Sequence, residues 1–175
     1  MAKTSSKSVD SLDKFSWVVK MIEFKLGALE FLSPLANLGI RLWMADIFWT
    51  SGLLKLPKGF LWLGQGNWSS TLFLFEYEHP VPGFSPEMAA YMGTFFELLC
   101  PVLLFIGLGT RAAAFILLIM TAFIQITYQQ HITHIYWMIL LAVLILQGAG
   151  RISLDFRIRK LVLSSKRYMK LAGGK

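Results

Sequence analysis

The chain has 175 residues, of which 55% are hydrophobic and only 15% charged, with 17 Lys or Arg against 10 Asp or Glu and a formal charge of +7. That apolar content exceeds what a soluble domain can hide, so lipid is the expected solvent for most of the chain. The basic residues gather at the two ends and flank apolar runs. That placement excludes a nucleic-acid surface and points to anionic lipid headgroups, while the lone Cys100 excludes an internal disulfide or dithiol pair.

The first thirty residues hold no uninterrupted apolar core before a small-residue cleavage site, because Lys14, Lys20, Glu23 and Lys25 break every candidate. No removable signal peptide is expected. Within residues 1–34, a tail, Leu12, Phe15, Val19, Ile22, Leu26 and Leu29 recur at helical spacing, whereas Lys14, Lys25 and Glu30 lie mostly elsewhere around the helix. This pattern predicts an amphipathic helix lying on the membrane surface.

Crossing about 30 Å of hydrocarbon takes about 20 apolar helical residues. Four runs of that kind give an all-α membrane protein, a four-transmembrane-helix bundle over residues 35–150 with amphipathic surface helices at both ends. The first span runs over about 35–56, with Ser33 as N-cap and Pro34 at the first helical position. An outer loop, 57–85, follows, rich in Gly, Asn, Ser, Pro and aromatics, with a short helix expected from Ser70 to Tyr77. Ser85-Pro86-Glu87 repeats the start signal for a second span, 86–106. Gly107 to Thr110 makes a tight connection to the third, 111–130, and the fourth covers 132–148. The short connections make consecutive helices antiparallel neighbours. In the basic tail, 151–175, Leu154, Phe156, Ile158, Leu161 and Val162 alternate with Arg157, Arg159, Lys160, Lys166 and Arg167, which predicts a second surface helix.

Lys and Arg mark the cytoplasmic side of a membrane protein. Five lysines in the N-terminal segment, Arg111 in the connection and eight Lys or Arg after Gly150 all fall on one side. Lys55 and Lys58 stand on the other, beside Glu76, Glu78 and Glu87. Both termini are therefore expected to be cytoplasmic, and Trp62, Trp68, Tyr77, Tyr128, Tyr136 and Trp137 fall near the outer boundary.

Ionisable groups inside a span each cost about 2.5–3.5 kcal/mol on insertion scales. Arg41, Ala45, Phe48, Gly52 and Lys55 follow one another at i, i+4, i+7, i+11 and i+14, a stripe expected to face the bundle interior. Asp46 and Glu97 fall near mid-bilayer, and Gln125 and Gln129 toward the outer half. An intramembrane polar cluster of Arg41, Asp46, Glu97 and Gln125 is the candidate site for a proton, a small ligand or a quinone headgroup. The alternative is that these groups snorkel or pair and only hold the helices together. His79, His131 and His134 fall in the outer loops and are the candidate metal ligands, although interfacial histidines bonded to headgroups or loop carbonyls are the simpler reading. Met88, Met92, Met120 and Met138 read as adaptable packing, and Cys100 as a small buried hydrophobe.

Several segments together resemble the DoxX family of small bacterial four-helix membrane proteins. The first span carries Arg41-Leu-Trp-Met-Ala45-Asp-Ile-Phe48-Trp-Thr-Ser-Gly52-Leu-Leu-Lys55, matching the family's spaced Arg, Ala, Phe, Gly and Lys. Glu97 leads through Gly107 into a Gly-Thr110-Arg111 turn. The fourth span ends in Gly148-Ala149-Gly150-Arg-Ile-Ser153-Leu-Asp155, with Ala149 where the family has Pro. Thr71 to Pro82 resembles the outer loop of one subgroup, so the likeness covers roughly residues 35–156. The resemblance implies a bacterial inner-membrane protein linked with redox or detoxification systems, one relative being the membrane subunit of a quinone-reducing thiosulfate oxidoreductase.

With no Cys pair, flavin motif or haem pair, no tightly bound cofactor is expected. A quinone is the ligand to look for, and an oxidoreductase partner would supply the chemistry, so enzymatic activity of the chain alone is not expected. The other two readings are a small oligomeric transporter using the same polar cluster, for which a homo-oligomer would build the pore wall, and a membrane scaffold whose outer loop recruits a partner.

Overall fold

The computed structural model describes residues 4–78, 80–127 and 130–172, and the described residues are almost entirely helical, with no strand. Helix α1 spans Thr4–Lys55, α2 Trp68–Phe73, α3 Pro86–Ile106, α4 Thr110–Thr127, α5 Ile132–Gln147 and α6 Leu154–Ala172. The chain divides into two compact units, Met1–Ala36 and Asn37–Lys175, with the boundary inside α1.

The first unit corrects one expectation. Ser33-Pro34 does not begin a helix, because α1 is already helical from Thr4 and carries Pro34 in its interior. Proline removes one N–H donor and crowds the carbonyl four residues back. Here that local penalty is outweighed by the helix-forming residues on either side. Trp17, Phe24 and Phe31 are exposed in this unit.

In the second unit, α1 from Asn37 onward, α3, α4 and α5 surround one core. Met44, Ala45 and Phe48 of α1 meet Cys100 and Leu104 of α3, Ala113, Ala114 and Leu117 of α4, and Leu141 and Leu144 of α5. Alanines and Cys100 at these positions let the helix axes approach closely. Gly52 carries the same principle furthest: a Cβ there would lie 2.8 Å from Leu98 Cδ2 and 3.2 Å from the Glu97 carbonyl. The opposite surfaces are apolar and exposed, with Trp43, Leu54, Phe95, Phe105, Ile126 and Leu146 pointing away from the core.

Helix boundaries follow their capping chemistry. Ser85 accepts from the Met88 amide at the start of α3, and Gly107, at φ +71°, closes its end with its N–H on the Leu103 carbonyl. Both ends of α3 fall where the sequence places them. Helix α4 starts at Thr110 and ends at Thr127, α5 ends at Gln147, and the loop helix is Trp68–Phe73 continued by a wider turn over Leu74–Glu78. The loop folds back on the end of α1, where Gln65 N–H reaches Leu53 O, Gly66 N–H reaches Leu56 O, and the Thr71 hydroxyl donates to Lys55 O at 2.8 Å. These bonds satisfy carbonyls that a helix C-terminus otherwise leaves open.

Helices α3 and α4 are each long and apolar enough to cross a membrane, and α5 is a shorter apolar helix.

Candidate functional site

The stripe on α1 supplies an anchor at each end of the bundle. Arg41 is 1% exposed, and its guanidinium donates to four backbone carbonyls: Leu104 (2.9 Å) and Phe105 (3.1 Å) at the end of α3, and Ala149 (2.7 Å) and Ile152 (2.8 Å) after α5. The planar fork with five N–H donors suits this task, and a lysine could not span the same acceptors. Gly107 makes room for it, since a Cβ there would lie 2.7 Å from Arg41 Nη2. Asn37, one turn earlier, donates to Gly148 O at 3.0 Å.

The segment after α5 completes this end. Asp155 accepts from the Gly109 amide at 2.9 Å and the Thr110 amide at 3.2 Å, capping α4 from a distant part of the sequence, while its own N–H reaches Gly107 O. Ser153 bonds Gly150 O and caps α6 through the Phe156 amide. Arg41, Gly107, Gly148, Gly150, Ser153 and Asp155 therefore form one joint between the helix ends. Arg111, exposed, donates to Leu146 O.

At the other end of the stripe, Lys55 Nζ lies 2.6 Å from Glu97 Oε2 and 3.0 Å from Ser51 Oγ, with the two charged side chains 15% and 5% exposed. This pair stands on the wall of a cavity of about 700 Å³ bounded by α1, α3, α4, α5 and the turn at residues 74–78. The rest of the wall is largely apolar, including Phe48, Phe75, Met92, Phe96, Met120 and Trp137. Ala89 and Gly93 widen it on the α3 side.

His134 adds a further polar group to the wall. Its Nδ1 lies 3.0 Å from Gln125 Oε1, which also accepts the His131 amide at 3.1 Å. An oxygen that accepts a backbone N–H identifies the amide's orientation, and against that oxygen Nδ1 is assigned the hydrogen, which leaves the lone pair on Nε2. Trp137 lies tilted against the imidazole, with ring centroids 5.3 Å apart, and meets Phe48 edge-on at 6.0 Å. In the turn beside the cavity, the Tyr77 phenol is raised above its usual range by its hydrogen bond to Glu76 and then by that residue's charge.

The four residues read from the sequence as one polar cluster are not brought together. Arg41 belongs to the joint, Glu97 to the pair with Lys55, and Gln125 to the support of His134. Asp46 is exposed on the outward side of α1. Five residues separate it from Arg41, which turns it about 140° around the helix. Shared depth in the sequence does not make a shared face. Lys55 enters the site by the opposite route: its place on the Arg41 stripe fixes its face, and an antiparallel α3 held at Leu104 by Arg41 brings Glu97 near the far end of α1.

Among the described residues no group of three His, Cys, Asp or Glu could hold a metal. His131 and His134 have ring centroids 6.0 Å apart, with His134 engaged by Gln125, and His79, like Tyr128 and Gln129, lies outside the described residues. Cys100 is fully buried in the core.

The arrangement can take an apolar molecule with a hydrogen-bonding head, in a cavity whose lining includes a cation, a carboxylate and an imidazole. A helical core of this kind, with apolar surfaces outward, is the construction of a small membrane protein. The DoxX family profile matches residues 36–130, more than half of the chain, and the protein belongs to the DoxX family. No curated protein and no solved structure matches the sequence.

Proposed function

We propose that this DoxX protein crosses a bacterial inner membrane four times, with both termini in the cytoplasm, and serves a redox or detoxification system by holding a quinone-type ligand in the cavity beside Lys55 and Glu97. The single observation that carries the reading is the large apolar cavity walled by a buried ion pair. Pockets of about 300–1,000 Å³ with a few convergent polar groups are the usual form of small-molecule sites.

Residues 37–55 of α1 measure about 28 Å at 1.5 Å per residue, the thickness of a hydrocarbon core. The two-ended distribution of Lys and Arg supports the orientation. In that orientation Lys55, Glu97 and His134 lie toward the outer side.

A quinone becomes a quinol by gaining two electrons and two protons. Lys55 would donate a hydrogen bond to a carbonyl oxygen of the headgroup, and Glu97 and His134 Nε2 would hold or pass protons at the reduced oxygens. The electrons would come from an oxidoreductase partner, since the single Cys100 cannot form a dithiol pair. Phe96, Met120 and Trp137 would enclose the ring and the start of an isoprenoid tail.

Purification of the tagged full chain in mild detergent, with solvent extraction and an optical spectrum of the extract, tests this directly. A near-stoichiometric quinone, lost in Glu97→Gln, supports the reading. An extract free of quinone from cells that make it, with the protein still folded, overturns it.

A further inference from the structure

At the opposite end of the bundle from Lys55 lies a second cavity, of about 580 Å³, between the start of α4, the turn after α5 and the start of α6. Arg111, Arg151 and Arg159 line it, with Asp155 as the acidic residue among its walls. Both oxygens of Asp155 are already engaged by the Gly109 and Thr110 amides, so its charge is taken up in capping α4. Three guanidiniums thus face one cavity against a single occupied carboxylate.

The cavity is built rather than incidental. Arg111 is held across its edge by its bond to Leu146 O at 3.2 Å, and a Cβ on Gly148 would lie 3.1 Å from Arg111 Nε. Its remaining N–H groups are left to donate to an oxyanion. Arg151 and Arg159 are exposed, and Asp155 and Arg159 sit one turn apart on α6. Phe156, 43% exposed, adds an apolar surface beside the charges.

We propose that this cavity binds a phosphate group, with Arg111, Arg151 and Arg159 as its ligands. The group can belong to an anionic phospholipid, whose glycerol and acyl chains would continue along Phe156, or to a free phosphate. Guanidinium forks match phosphate oxygens in pairs, and basic pockets at the ends of membrane helices take lipid phosphates. The site is separate from the quinone-type cavity, and neither proposal needs the other.

The test is native mass spectrometry of the full-length chain in detergent, titrated in parallel with short-chain phosphatidylglycerol, phosphatidylcholine and inorganic phosphate. Wild type should prefer phosphatidylglycerol to phosphatidylcholine. An exposed arginine contributes about fivefold in such binding, so R151Q/R159Q should weaken it about 25-fold. R157Q/K160Q removes the same charge from α6 residues outside the cavity and should leave it near the wild-type value. Competition by millimolar inorganic phosphate would identify the free ion as an occupant, and its failure would identify the lipid. Absence in wild type of both a phosphatidylglycerol preference and binding of inorganic phosphate, or equal weakening in the two double variants, overturns the proposal.

Discussion

Lys55 Nζ stands 2.6 Å from Glu97 Oε2, joining the last turn of α1 to the middle of α3. Neither charge has much water around it, so removing one partner strands the other. Glu97→Gln and Lys55→Met should each cost about 3–5 kcal/mol, whereas the Lys55→Met/Glu97→Leu double variant should recover much of that loss. Unfolding of the three variants in mixed micelles closes the cycle. Additive losses would show that the pair is not coupled.

The guanidinium of Arg41 holds four carbonyls from two segments far apart in sequence. A hydrogen bond to a charged group contributes about 1.5–3 kcal/mol. Arg41→Lys keeps the charge and loses at least two of these bonds, so a destabilisation of about 3 kcal/mol or more is expected in the same assay. A lysine variant as stable as wild type would show that charge alone suffices.

Asp155 caps α4 from outside the helix. Asp155→Ala should destabilise by about 1–2 kcal/mol, the usual loss for a helix cap. Hydrogen exchange should quicken at the Gly109 and Thr110 amides before it changes in the middle of α4. Uniform change along α4 would contradict a local capping role.

Asp46 stands midway along residues 37–55 of α1 and Glu97 midway along α3, yet only Glu97 is buried. Asp46→Leu should therefore leave the Lys55–Glu97 cavity unaltered and ease insertion, by at most the roughly 2.5–3.5 kcal/mol that an ionisable group costs there. Ligand retention and the yield of inserted protein measure the two effects separately.

What the amino-acid sequence makes legible depends on the kind of signal. The start and end of α3 carry local chemistry, a Ser-Pro-Glu cap and a glycine at φ +71°, and sequence placed them directly. The stripe from Arg41 to Lys55 was legible because helical periodicity alone defines a face. The continuation of α1 through Pro34 was not, since a proline reads as a boundary and only its neighbours decide otherwise. The four polar residues do not form one cluster for a related reason: depth can be counted along a helix, but Asp46 faces away from Arg41, and Gln125 serves His134 at the loop end. The pairing of Lys55 with Glu97, and the capping of α4 by Asp155 across 45 residues, depend on how helices register against each other, which no single segment encodes.

The most direct test of the quinone-type site is photolabelling of the full chain with an azido-quinone, followed by peptide mapping. Labels at Phe96, Met120 or Trp137, competed away by unlabelled quinone and lost in Glu97→Gln, are the predicted result. Labels spread over the exposed apolar surfaces, at Trp43 or Phe105, and insensitive to competition, would contradict it.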